Sequence, residues 1–322
     1  MKTLMLVASL TLSLTINGTA LAQSYPSKPV RLVIPYPAGG SNDILARIFA
    51  AKLTETLGQQ VVVDNRPGAG ATIGTAVVAK APPDGYTLLM ASLASHATSP
   101  HMNSNVGYDA VRDFAPITLL AKAPVILVVS AQFPANNLKD VLAAVRQNPG
   151  KFTYGSAGNG SPPHLAAEIF KAQTTTDLLH VPFKGGTQHL VDLQAGRIDM
   201  IFDPTISSMS FVKSGKVRPL AIASAKRSAE VPEVPTFAEA GLPGFEVYAW
   251  YGIVAPAGTP KDIIARLNSD LTRILTLPDV RTRLQALSVE PATESAEQFG
   301  EFIRAEYNKY GKVIREGGIK AE

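Results

Sequence analysis

Short apolar runs alternate with longer amphipathic segments along most of this chain, and that alternation limits the fold more than any other feature. Residues 30–34 form a bounded apolar run, and 44–57 carry helical spacing that stops at Gly58. Further strands are predicted at 61–64, 88–91, 153–155, 178–181, 199–202 and 219–224. Helices are predicted between them at 73–80, 137–147, 163–173, 187–195 and 207–213, with a short helical turn at 236–240. From residue 259 the chain reads as helical, at 261–275, 278–287 and 295–316. Strands alternating with helices predict parallel sheets flanked by helices, which bind ligands outside the carboxyl ends of their strands. Two apolar extended stretches, 117–130 and 247–255, bracket a middle block and read as two crossings between domains.

Composition then removes several kinds of chemistry. The chain has no cysteine, which excludes disulfides, zinc–thiolate sites and thiol catalysis. Its formal charge is +4 with the basic residues scattered singly, which argues against a nucleic-acid surface. Lys2, the apolar run 4–16 and the small residues of Ala20-Leu21-Ala22 predict an export signal over 1–22, cleaved after Ala22. The remainder is longer than one core usually covers, so two domains are expected. None of the five histidines, His96, His101, His164, His180 and His189, pairs at helical spacing with acids to complete a metal set.

Four strand-to-helix turns carry the candidate chemistry. In Tyr36-Pro37-Ala38-Gly39-Gly40-Ser41-Asn42-Asp43, two glycines permit positive φ and bare N–H groups, and the helix start adds donors and dipole. That is an anion site without a charged side chain. Asp43 either caps the helix or meets an amino group of the ligand. The second turn, Gly155-Ser156-Ala157-Gly158-Asn159-Gly160-Ser161-Pro162-Pro163-His164, imitates a phosphate loop, but Ser161 stands where its lysine belongs. Ser156 and Asn159 can orient a small polar ligand, and His164 is either a base beside Ser156 or a packing residue. The third turn, Lys184-Gly185-Gly186-Thr187, holds a lysine that is a charge partner or a solvated side chain. In the fourth, Asp203 caps the next helix or touches ligand. The stretch 68–74 resembles a dinucleotide fingerprint, but its third glycine comes one residue late, so it reads as a packing turn and no cofactor is expected.

The segments YPSKPVRLVIPYPAGGSND, VVVDNRPGAGATIGT, PPDGYTLL, FTYGSAGNGSPPHLAAE, VPFKGGTQHLVDLQAGRIDMIFD, SGKVRPLAIAS and VPTFAEAGLPGFEVYAWYGIVAPAGTP follow one another in order. Together they resemble the Bug family, the periplasmic receptors of tripartite tricarboxylate transporters, over essentially the whole mature chain. The resemblance implies an α/β, two-domain periplasmic binding protein, type II-like. Each domain is a mostly parallel sheet flanked by helices, and two crossing strands serve as a hinge. Domain one is expected at 23–123 plus 248–322, domain two at 124–247. The implied ligand is a dicarboxylate, tricarboxylate, acidic amino acid or aromatic acid, gripped largely by main-chain groups of 36–43 and 156–164. The expected ligand set is Tyr36, Pro37, Ala38, Gly39, Gly40, Asp43, Ser92, Ser156, Ala157, Gly158, Asn159, His164, Lys184, Gly185 and Asp203. Pro37 removes one N–H from the first turn, and Phe183 stands where relatives often have tyrosine. The expected partner is a membrane transporter, with a signalling receptor as the alternative, and the expected state is a monomer. A secreted hydrolase using Ser156 and His164 is the competing reading.

Overall fold

The computed structural model describes residues 25–103 and 105–319; the export signal expected over 1–22 lies outside them. The first sheet begins β1 (Val30–Ile34), β2 (Val61–Asn65) and β3 (Thr87–Ser92), all parallel, with β1 in the middle. Between them run α1 (Ser41–Leu57) and α2 (Thr72–Ala79). Gly58 ends α1 in the left-handed region, φ 66°, where a side chain would be strained. A π turn over Ala94–Thr98 and the short α3 (Ser99–Met102) follow β3.

The apolar stretch expected at 117–130 lies in one strand, β4 (Phe114–Val129), of 16 residues. Its residues up to Pro124 pair antiparallel with β9 (Tyr248–Pro256) in the first sheet. Its last five pair with β7 (Met200–Pro204) in a second sheet, and several also with β8 (Arg218–Ile222). Pro124 interrupts the sequence pattern where β4 changes partners, a place where a missing N–H is tolerated. The second sheet continues through β5 (Thr153–Ser156) to β6 (Leu179–Pro182), both pairings of β5 parallel. The expected parallel pairing therefore covers the outer strands, and the crossing strands join antiparallel.

Helices cover both faces of both sheets. In the first lobe, Leu45, Phe49 and Leu53 of α1 share a core with Leu267 and Leu271 of α8 (Lys261–Thr276), which is followed by α9 (Pro278–Ala286). The opposite face is filled by Phe299, Ile303 and Ile314 of α10 (Ala296–Glu316). The Ser295/Gln298 capping box starts α10. In the second lobe, α4 (Leu138–Gln147) and α5 (Pro162–Thr174) pack around Phe202, while α6 (Gln188–Gln194) and α7 (Thr205–Lys213) pack on Ile126 and Val128. Leu165 of α5 and Ile206 of α7 belong to first-lobe cores, so the lobes are in contact. A two-residue β10 (Glu290–Pro291) pairs with β4. Among the described residues no helix is long and apolar enough to cross a membrane.

Candidate functional site

Three of these strands stop at the cleft between the lobes, and each hands the chain to a helix that starts there. β1 leads to α1, β5 to α5 and β7 directly to α7. The first turn of a helix has N–H groups without intrahelical acceptors and a partial positive charge. Proline occupies the first two positions of α5, so those two lack an N–H altogether. In the first turn only Gly39 takes positive φ, 84°, whereas Gly40 is extended at φ −81°. The bareness of Gly40 has another cause: a Cβ there would stand 3.4 Å from Gly186 Cα in the other lobe.

Between these helix starts lies a cavity of about 40 Å³. Tyr36, Gly40, Ser92, Ala157 and Asp203, all anticipated, line it. Ser41, Asn42, Ser161, His189, Ser207 and Tyr251 line it too and were not anticipated. Its walls contain no lysine or arginine. Four buried polar atoms of the wall residues have no hydrogen-bond partner: Tyr36 Oη, Asn42 Oδ1, Ser161 Oγ and His189 Nδ1. Buried polar groups are normally bonded, so these four are hydrogen-bonding capacity that the wall residues leave unused. Burial raises the Tyr36 phenol well above its ordinary pKa; the neighbouring Ser92 hydroxyl offsets part of this without forming a hydrogen bond of full geometry. Burial raises Tyr251 as well, so both phenols remain donors.

One hydrogen-bonded chain crosses the cleft at this wall. Ser41 donates to Ser207 Oγ at 2.9 Å, Ser207 to Asp203 Oδ2 at 2.5 Å, and Asp203 Oδ1 meets His189 Nε2 at 2.8 Å. Asp203 belongs to β7, and Pro204 takes the cap position of α7, so its contact with that helix is through the Ser207 side chain. On the cavity's flank, Thr98 donates to Gly160 O at 2.5 Å. The Gly185-Gly186 turn rests on the first turn: a Cβ on Gly185 would stand 2.8 Å from Pro37, and one on Gly186 would stand 3.5 Å from Ala38 O. The lobes are closed on each other around the cavity.

The other anticipated residues stand outside the cavity walls. Asp43 accepts the Gly39 N–H, Arg47 Nε and Asn65 Nδ2, at 2.9, 2.9 and 3.0 Å. Burial raises its pKa, but these bonds outweigh that and hold it below the ordinary value. Its carboxylate fixes the turn from beneath and stands outside the cavity walls. Ser156 bonds His180 Nε2 at 2.7 Å, and His164 Nδ1 accepts the Gly160 N–H at 3.2 Å. The base and nucleophile arrangement expected for a hydrolase is thus replaced by two separate pairings. Asn159 lies against Gly70, whose added Cβ would be 2.9 Å from Asn159 O. Pro37, Gly158 and Lys184 line an adjoining cavity of about 510 Å³, which shares Tyr36 and Ala157 with the first. The fingerprint-like stretch does pack as expected, with a Cβ on Gly74 only 2.6 Å from Arg66 O.

Several of the overlooked residues were within reach of the sequence. Ser41, Asn42 and Ser161 lie inside the quoted turns, and Ser207 is one helical turn beyond Asp203. His189 and Tyr251 carry no local signal; strand pairing and closure bring them in.

The sequence matches the model of the family described as "Tripartite tricarboxylate transporter family receptor" over residues 45–319. Three solved structures are similar over at least 90% of the chain. One is R. palustris Rpa4515 with adipate, at 36% identity and TM-score 0.89, covering 92% of this chain and 99% of that one. Another is the periplasmic binding protein BugD, at 35% and 0.88, covering 92% and 100%. The third is MatC (Rpa3494) from Rhodopseudomonas palustris with bound malate, at 34% and 0.85, covering 90% and 100%.

Proposed function

The chain belongs to the tripartite tricarboxylate transporter receptor family, the Bug receptors, and from that premise we propose that it grips a small carboxylate mainly through backbone amides. It is a periplasmic solute-binding receptor and not an enzyme. The reading further takes domain one as 23–123 plus 248–322 and domain two as 124–247, with β4 and the entry into β9 as the hinge. The closed, loaded monomer hands its acid to the membrane subunits of a tripartite transporter.

The observation that supports this reading is the convergence of helix starts and four unpaired polar atoms on a cavity without basic side chains. Amides and hydroxyls that point at one spot stabilise an anion there, and exclusion of water strengthens each bond. Adipate and malate bound to two relatives support a carboxylate as the anion. Native mass spectrometry of the protein purified without added ligand is expected to show a stoichiometric small acid that is unchanged on release. An apo mass, together with no heat on titration with malate, adipate or benzoate, overturns the reading.

A further inference from the structure

The central cavity is too small for a whole ligand. Its roughly 40 Å³ corresponds to about three water positions, which is the size of a carboxylate head. The rest of the molecule must lie elsewhere, and the adjoining cavity of about 510 Å³ shares two wall residues with it, Tyr36 and Ala157. The chemistry of that second space differs from the first. Its walls are prolines, alanines, glycines, the half-buried Phe183 and the shared Tyr36, with exposed Lys184 the one charged side chain among them.

One wall is also rigid. Gly68, Ala69, Gly70 and Ala71 all have positive φ, at 134°, 47°, 63° and 77°. Alanine holds such a conformation only where its surroundings impose it. Here Ser99 Oγ donates to Gly70 O at 2.6 Å and Thr72 Oγ1 to Ala69 O at 2.9 Å. A preformed wall of glycines and alanines favours an apolar ligand body and offers no side-chain partner to a hydroxyl buried against it.

Resting on the carboxylate-receptor reading above, we infer that the outer cavity selects acids with an apolar body, an aromatic ring or several methylenes, over short hydroxylated diacids. Phe183 is the specificity-determining side chain that packs on this body. Lys184 adds preference for a second acid group at its far end.

Calorimetric titration with benzoate, adipate and malate tests this. Benzoate and adipate are expected to bind at least about tenfold tighter than malate. Phe183→Ala should weaken the first two by about tenfold and leave malate within about twofold. Lys184→Ala should weaken adipate and spare benzoate. Should Phe183→Ala fail to fold, Pro67→Ser on the opposite loop carries the same expectation. Malate binding tightest, with these variants silent toward all three acids, overturns the outer-cavity inference and leaves the receptor standing. Absence of binding by every acid overturns the receptor reading and this inference together.

Discussion

Beneath the first turn sits a carboxylate, Asp43, holding Gly39, Arg47 and Asn65. Beneath the second sits a stack of rings: Tyr154 on His180 with centroids 4.7 Å apart, and His180 on His164 at 4.5 Å. Both supports keep a glycine turn in place at a strand end, yet one is ionic and the other is not. Burial pushes His180 down to about 4, so near neutral pH it meets Ser156 as an uncharged ring. The contrast shows that a glycine turn at a strand end can be braced either way.

Removing each brace gives the largest expected difference. Asp43→Ala leaves the Gly39 amide without its acceptor and Asn65 without one partner. It should lower unfolding free energy by about 3 kcal/mol, since several bonds to one charged group go together. Ser156→Ala loses the contacts to His180 and the Gly158 N–H, and partly exposed His180 can turn to water, so about 1 kcal/mol is expected. Urea midpoints at constant slope measure both. Equal losses would end the claim that the two turns are braced differently.

The next contrast concerns the glycines. Gly40 is extended, so Gly40→Val should fold almost as well as the parent while its new methyls push against Gly186 and hold the lobes apart. Adipate affinity should fall about a hundredfold with little change in melting temperature. Gly158 has φ 104°, and a Cβ there would lie 3.0 Å from Phe183 O. Gly158→Val should therefore lose about 2 kcal/mol of fold stability in addition to affinity. If Gly40→Val also melts early, the bareness of Gly40 serves the first lobe's own fold rather than closure.

These residues also show where sequence reading reaches its limit. The strand-to-helix order and the glycine turns were legible because periodicity and turn chemistry are local. The two crossings were legible as apolar extended runs, and Pro124 does not end β4 because it stands where the strand changes partner. Asp43 was visible as a residue of the first helical turn, but not its occupation by Arg47 and Asn65, since Asn65 arrives from the end of β2. His180 reaches Ser156 through the parallel pairing of β5 and β6, and His189 reaches Asp203 across the α6–β7 junction. A reading by spacing chose His164, the nearer in sequence, and pairing between strands decided otherwise.

Acid separates the two braces most finely. The folded pKa of His180 lies below the ordinary 6.5, so the unfolded chain binds its proton first. Stability from this group is full above 6.5 and is lost as pH falls toward 4, by about 1 kcal/mol once its partial exposure is discounted. The Asp43 shift is also downward, but for a carboxylate its contribution persists until pH falls below 3.8 toward the depressed value. His96, pushed down to about 3 by burial in the first lobe, lowers global stability over the same range as His180, so the contrast has to be read locally. Amide exchange at 157–160 should accelerate between pH 6.5 and 4.5 relative to exchange at 39–43, and His180→Gln should remove that difference. Parallel acceleration of both turns in the parent chain would mean that they respond to His96 as one unit, and the two braces would not be independent.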